Sequence, residues 1–443
     1  MYENLAGAKF IEVNPSSSFV GTVQAPASKS TSTRSILTAS LSEGESKIIN
    51  CAKSNNANAM KYNCEQLGAS INDSDSGYQI QGVDVTKIDR PITFNPGNSG
   101  VVLRLLMGVA GAMQHSTFVT DFSDSLGKRA HIEMVKALSL LGVNCNATGK
   151  DGLLPIQITG GRLSTSYTEI SCRKSSQFLS GLLYLGALSD RDLHIKVTDK
   201  ITAPSMVRTT IHNLKSAGID IEFDDGFKNF YVSGSSGLQN GKFVVGSDPA
   251  SSAALMGICA VTDSDVALNG FYEEELGNGA VIDYLCSSGV HIDQYATDIL
   301  KIQGGNPLKA QDFDGSLAPD AVPALAAVAA FADGKSTFFN IEHLRYKECD
   351  RISDFRRELS RLGVRSEESN DSLTIYGRPE GYEGGVTVEG HYDHAIIMAL
   401  TTIGSRCKNS ILIRDPFHVG QTYPNYFRDM HLLGNHISSL HCE

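Results

Sequence analysis

The sequence predicts an α/β (α+β) protein of two similar domains, six repeated units in all, and three observations carry that expectation. An apolar, helix-like segment that ends at a glycine and re-enters extended sequence occurs six times, as "CEQLGASI", "LSLLGVNC", "LKSAGIDI", "LCSSGVHI", "LSRLGVRS" and "MHLLGNHI". The glycines Gly68, Gly142, Gly218, Gly289, Gly363 and Gly434 stand 74, 76, 71, 74 and 71 residues apart. Hairpin signals follow several of them, among them "NDSDSGYQIQG", "ATGKDGLLPIQITGG", "FDDGFKNFYVSG" and "EESNDSLTIYG". One helix–Gly–strand step is common in any α/β protein, whereas six at near-constant spacing mark a repeat.

Each element follows from local chemistry. A glycine closing an apolar run supplies the left-handed residue that caps a helix. Turn residues between short alternating runs give the hairpin. A further strand and helix precede the next cap, so each unit is βαβαββ-like and roughly 70 residues long. Three such units make a domain of ordinary size, and 443 residues hold two. We expect helices inside and strands outside in each domain, although the repeat alone does not dictate that packing.

Composition narrows the function. Hydrophobic content of 41% and charged content of 20% belong to a globular protein. A net charge of −11 offers no basic face for nucleic acid, but a local Lys/Arg cluster can still hold a small anion. Nine cysteines are scattered with no C-x-x-C pair, which fits reduced thiols in a cytoplasmic protein and neither a disulfide framework nor a zinc site. The start, "MYENLAGAKFIEV", lacks the layout of a secretion leader, and no run of 18 apolar residues predicts a membrane helix.

Six segments carry candidate chemistry. "PASKSTSTRSILTASL" sets Lys29, Ser30 and Arg34 at a helix start, where free N–H groups favour an anion, although a Ser-capped surface helix explains it equally. "GNSGVVLRLLMG" brings a Gly/Asn/Ser loop, with Gly100, into a helix carrying Arg104. "SDSLGKRAHIEM" holds Lys128 and Arg129, and arginine grips phosphate or carboxylate with two parallel bonds. "SSQFLSGLL" offers Ser175, Ser176 and Gln177, more neutral donors than one cap needs. In "LAPDAVPALAAVAAFADG" Asp320 is either a cap or a base for a hydroxyl proton. "LRYKECDRISDF" packs Arg345, Lys347, Glu348, Asp350 and Arg351 together, a solvated charge run or a set that moves protons.

In this order, and on this repeat, these segments resemble the enolpyruvyl transferases across nearly the whole chain. "SKSTSTR" is similar to S-K-S-x-S-x-R, "NSGVVLR" to N-S-G-T-x-x-R, "SLGKRAH" to S-L-x-x-R-P-M and "SSQFLSGLL" to S-S-Q-F-x-S-x-L-L. "PDAVPALA", "LRYKECDR", "YDHAIIM" and "QTYPNYF" resemble P-D-x-x-P-x-L-A, L-R-x-K-E-[ST]-D-R, D-H-R-x-A-M and K-[ST]-[FY]-P-x-F. The resemblance is nearest to the branch that acts on shikimate-3-phosphate. It implies an inverse αβ barrel in each domain, one formed by residues 27–245 and the other by 1–26 plus 246–443, with the active site in the cleft between them. It implies a cytoplasmic, monomeric enzyme without metal or cofactor that moves enolpyruvyl from phosphoenolpyruvate to the 5-hydroxyl of the acceptor by addition and elimination. Carried over by motif, Ser30, Arg34, Ser175, Ser176, Gln177, Thr202, Asp320 and Lys347 would hold the phosphorylated acceptor, with Asp320 as base. Lys29, Gly100, Arg129 and Arg351 would hold phosphoenolpyruvate, while Glu348 and Lys29 would serve the methylene proton.

Two donor-side cations depart from the pattern. Ala395 stands where D-H-R has arginine, and Gln421 where K-[ST]-[FY]-P has lysine. Arg414 is a candidate substitute. Val101 follows N-S-G in place of threonine, Thr202 and Ser205 stand where many members have S-x-x-Y, and His343 replaces an asparagine of some members. These departures motivate an alternative, a specialised homologue with another acceptor or one that performs an elimination on a shikimate-like compound without phosphoenolpyruvate. A non-catalytic binder on the same fold is the third reading, which the retained Lys29, Asp320, Lys347, Glu348 and Arg351 oppose. The crowded "GHYDHAIIMAL", with His391, Asp393 and His394, poses a metal question that the resemblance answers in the negative, with Asp393 capping the helix that follows.

Overall fold

The computed structural model describes residues 8–74, 76–234, 237–272, 277–296, 298–434 and 437–440. The chain divides into two compact units, Met1–Pro26 with Gly246–Glu443, and Ala27–Val245. Each unit holds three four-stranded sheets among the described residues.

One sheet explains all six. Ile92–Phe94 runs parallel to Ser116–Phe118, and the inner helix Gly100–Ala110 connects them. The outer helix Ile132–Leu140 then leads to the hairpin Asn144–Thr148/Leu153–Thr159, whose second strand pairs antiparallel with Ser116–Phe118. A parallel pair requires a crossover helix and an antiparallel pair only a turn, which fixes this βαβαββ order. The predicted hairpins also form at Ser70–Ser74/Gly77–Gly82, Ile221–Phe223/Asn229–Val232 and Arg365–Glu368/Ser372–Tyr376. All six predicted caps are left-handed, with φ of +106°, +85°, +82°, +105°, +81° and +111° at Gly68, Gly142, Gly218, Gly289, Gly363 and Gly434. A side chain is strained in that region.

The repeats are permuted. Lys242–Val244 supplies the parallel edge strand of the first sheet in the 27–245 unit, pairing with Lys47–Ile49. In the other unit Val20–Gln24 lies parallel to Asp265–Asn269, and Phe10–Val13 inserts between Ile411–Arg414 and Ile437–Leu440.

The first helix of each repeat is inside. Every residue of Lys29–Leu41, Gly100–Ala110, Pro249–Ala260 and His394–Ser405 is buried. The second helix is amphipathic and covers the core, as Asn55–Leu67 does by burying Ala57, Met60, Cys64 and Leu67. Small residues let inner helices approach closely. A Cβ on Gly108 would lie 1.9 Å from the Gly181 carbonyl oxygen. Each unit has its own apolar core, one around Leu105, Leu182 and Tyr184, the other around Leu255, Leu325 and Ile397.

Candidate active site

In the 27–245 unit the inner helices Lys29–Leu41, Gly100–Ala110 and Gln177–Leu188 run parallel, because their cross-contacts climb in step. Arg104 Nη1 donates to Gln177 Oε1 at 2.8 Å and to Ser175 Oγ at 3.2 Å. Further along, Gly108 packs on Gly181, and the Thr38 and Tyr184 hydroxyls meet at 2.8 Å. The N-terminal ends therefore share one end of the unit, and free N–H groups there favour anions.

Serines cap these starts: Ser28 Oγ accepts from Thr31 N at 3.2 Å, Ser99 Oγ from Val102 N at 3.3 Å and Ser175 Oγ from Gln177 N at 3.3 Å. Lys29, Ser30 and Ser176 lie buried beside them. A Cβ on Gly100 would stand 3.0 Å from Arg129 Nη1 and 3.4 Å from Arg104 Nη1, so this glycine gives two guanidinium groups room. Arg129 also donates to Ser125 Oγ at 3.4 Å, and Arg104 stacks 4.8 Å over the Phe178 ring.

Two residues expected against the acceptor are engaged within the protein. Arg34 is fully buried and donates to Thr210 Oγ1 at 2.7 Å, the Ser30 carbonyl at 3.0 Å and the Met206 carbonyl at 3.2 Å. A buried guanidinium requires acceptors, and here it ties the Ser30 turn to the helix Pro204–Ser216. The Thr202 hydroxyl donates to the Cys172 carbonyl at 2.8 Å.

In the other unit Arg351 is the centre. Its side chain is fully buried. Nε donates to Asp393 Oδ2 at 2.7 Å, Nη1 to Asp320 Oδ1 at 2.8 Å, and Nη2 to Glu348 Oε2 at 3.0 Å and Asp393 Oδ1 at 3.1 Å. Lys347 Nζ reaches the same Asp320 oxygen at 2.9 Å. Burial works against the guanidinium charge, but the carboxylates of Asp393, Glu348 and Asp320 outweigh it and raise the Arg351 pKa well above its ordinary value. Asp393 also caps the helix His394–Ser405, accepting from Ala395 N at 2.9 Å as expected. Asp320 and Asp393 thus bring the starts of two inner helices, Val322–Ala329 and His394–Ser405, onto one cation. Arg345, by contrast, braces its own loop through Asp350, Ser353 and the Asn370 carbonyl.

In the "GHYDH" cluster His394 Nδ1 stays 3.9 Å from Asp393 Oδ1, and the three side chains take different hydrogen-bond partners. His391 Nε2 bonds Glu358 Oε1 at 2.9 Å, Asp393 goes to Arg351, and His394 Nδ1 lies 3.3 Å from Gln421 Oε1. Among the described residues no group of three or more His, Cys, Asp or Glu is placed to hold a metal ion. Gln421 Nε2 also donates to the Tyr392 carbonyl at 3.4 Å and lies 3.4 Å from His418 Nδ1. Burial pushes the His418 pKa down to about 4, so the ring is neutral at pH 7.

Arg414 does not replace the missing cations. It pairs with Glu389 at 3.0 Å and stacks 4.8 Å over Phe10. Alternation along Ile411–Arg414 sends Ile411 and Ile413 into the core and Arg414 to the other face.

Three residues beyond the carried-over set stand in the 27–245 cluster. Arg104 joins two helix starts. Asn98 is nearly buried, its Oδ1 accepts from Leu126 N at 3.2 Å and its Nδ2 has no partner among the described residues. Among the described residues neither ring nitrogen of the buried His131 has a hydrogen-bond partner, and burial, then Arg104 and Arg129, push its pKa well down. The signals were in the quoted motifs: the asparagine of N-S-G, the arginine one turn on, and histidine in place of the methionine of R-P-M.

Known proteins resemble this chain in sequence and fold. The family model for EPSP synthase (3-phosphoshikimate 1-carboxyvinyltransferase) matches residues 13–430. A 3-phosphoshikimate 1-carboxyvinyltransferase of Burkholderia pseudomallei is 57% identical over 431 residues, spanning 97% of this chain and 96% of that protein. Its counterpart from Deinococcus radiodurans is 37% identical over 423 residues, 95% of each chain. The solved EPSP synthase of Acinetobacter baumannii superposes with a TM-score of 0.80 at 26% identity, covering 97% of this chain and all of that one. The enolpyruvyl transferase NikO of Streptomyces tendae, at 16% identity and a TM-score of 0.74 over 98% of this chain and 99% of that one, shares the fold. With the two units of three βαβαββ repeats, these matches make the chain a member of the EPSP synthase family.

Proposed function

We propose that this enzyme, a carboxyvinyl transferase, moves the enolpyruvyl group of phosphoenolpyruvate to the 5-hydroxyl of shikimate-3-phosphate. The observation that carries the reading is the convergence of Asp320, Lys347, Glu348 and Arg351 in one hydrogen-bonded cluster. The chain is 57% identical to a relative that bears the name of this activity. That name, shared by the 37% identical relative, favours this reading over the specialised elimination.

The reaction adds the acceptor oxygen to C2 of the donor while a proton joins C3, giving a tetrahedral intermediate. A C3 proton then leaves, the C2–O bond to phosphate breaks, and the enol ether and inorganic phosphate remain. In our assignment Asp320 takes the hydroxyl proton. Glu348 and Lys29 serve the methylene carbon, and Arg351 fixes Asp320 and Glu348 relative to each other. Ser30, Ser175, Ser176, Gln177 and Lys347 bind the acceptor, while Arg34 and Thr202 shape its pocket through Ser30, Met206 and Cys172. Gly100, Arg129 and Lys29, joined by Arg104 and Asn98, hold the donor's carboxylate and phosphate. Fixed donors facing developing charge are the largest single contribution in such sites. Scattered free thiols fit a cytoplasmic protein, the family resemblance suggests a monomer, and among the described residues no helix is long and apolar enough to cross a membrane.

The test is direct. Purified protein given both substrates should release one phosphate for each vinyl ether formed, followed by phosphate assay and proton NMR. Absence of both products at millimolar donor, beside an active control enzyme, would remove the reading.

A further inference from the structure

The turn that leads into the helix His394–Ser405 is made of residues its backbone disfavours. Asp393 N donates to the Gly390 carbonyl at 3.0 Å and closes a turn whose central residues, His391 and Tyr392, sit at φ +50° and +57°. Asn and Gly dominate the centre of such turns, because the Cβ of a larger L-residue at positive φ crowds the carbonyl that follows. Strain of this kind persists only where the surroundings hold it, and it gathers at working sites.

Three contacts hold this turn. His391 Nε2 bonds the buried Glu358 at 2.9 Å. The Tyr392 carbonyl accepts from Gln421 Nε2 at 3.4 Å, and the Tyr392 ring stands edge-on to His418 with 5.2 Å between centroids. Folding accounts for His391, which satisfies a buried carboxylate. It does not account for Tyr392: Asn or Gly would offer the same carbonyl with less strain, and the tyrosine remains 55% exposed. The described contacts of Tyr392 use its carbonyl and its ring and leave its hydroxyl available.

Placement says what that hydroxyl can serve. One residue on, about 3.8 Å along the backbone, Asp393 takes two of the bonds of Arg351. The Tyr392 carbonyl is held by Gln421, and Gln421 and Ala395 are the two positions where a cation is missing from the family pattern. We infer that Tyr392 binds phosphoenolpyruvate, its hydroxyl donating a hydrogen bond to an anionic oxygen of that substrate at this helix start. The inference rests on the transfer reaction proposed above. A hydroxyl bonded to an ionised oxygen is a strong hydrogen bond, and a turn fixed in advance loses little freedom when it forms.

Steady-state kinetics with saturating shikimate-3-phosphate test it. Tyr392→Phe keeps the ring against His418 and removes only the hydroxyl, so KM for phosphoenolpyruvate should rise at least about fivefold while the acceptor KM stays within about twofold. Tyr392→Asn suits the left-handed turn better and also lacks the phenol, and it should show the same defect, which excludes a folding cause. A phosphoenolpyruvate KM within about twofold of the unmodified enzyme in either variant, or an equal rise in the acceptor KM, would overturn the inference. If the unmodified enzyme shows no turnover, the transfer reading itself fails, and this inference with it.

Discussion

Both units place arginines at the starts of their inner helices, and the described contacts of those arginines differ. In the 27–245 unit Arg104 donates to Ser175 and Gln177, and Arg129 to Ser125. In the 246–443 unit Arg351 donates to three carboxylates, one of them shared with Lys347. Arg351 and Lys347 there meet the carboxylates of Asp320, Glu348 and Asp393. Ala395 and Gln421 add none, where the family pattern has an arginine and a lysine. The comparison fits the division of labour in our proposed assignment: one cluster to bind an anion, the other to hold carboxylates in place for proton transfer.

Removing the centre of the second cluster should break the contrast most severely. Arg351→Met leaves buried Asp393 without its cation, and losing one partner of a buried pair costs about 3–5 kcal/mol. Urea denaturation should show that loss in the 246–443 unit. Asp320→Asn keeps the shape but removes the proposed base, so kcat should fall about 10²–10⁴-fold with the urea midpoint little changed. Restoring the missing cations sharpens the comparison from the other side. Ala395→Arg with Gln421→Lys should tighten donor binding about tenfold, worth ~1.4 kcal/mol, read by calorimetry in the presence of acceptor. The smallest effect concerns pH. His418 sits near 4 when folded against an ordinary 6.5, and burial also lowers His131. Between those values the unfolded chain binds protons that the folded chain does not, so stability should fall as pH drops from 6.5 toward 4. His418→Leu should reduce that fall in denaturation curves at pH 7 and 5.

Much of the fold was legible because a left-handed helix cap has one strongly preferred residue, and six glycines report six caps. The permutation was implied by the family resemblance and not by local sequence: "FIEV" at 10–13 carries no mark of its partners Ile411–Arg414 and Ile437–Leu440. In the site, the motifs name the residues that converge on Arg351, since charges packed into "KECDR" must find each other. They do not say where a guanidinium points. Arg34 looks like a ligand in "SKSTSTR", yet its contacts with Thr210 and Met206 arise from a helix far along the chain. Arg414 shows the opposite case: strand alternation already directs it away from the core, and the structure pairs it with Glu389.

The claim that the 27–245 cluster carries the donor's charge is tested most directly by Arg129→Gln. With saturating shikimate-3-phosphate, KM for phosphoenolpyruvate should rise about 30-fold or more, ~2 kcal/mol or more, while acceptor affinity stays within about threefold. A donor KM within about threefold of the unmodified enzyme would contradict the division of labour between the two clusters.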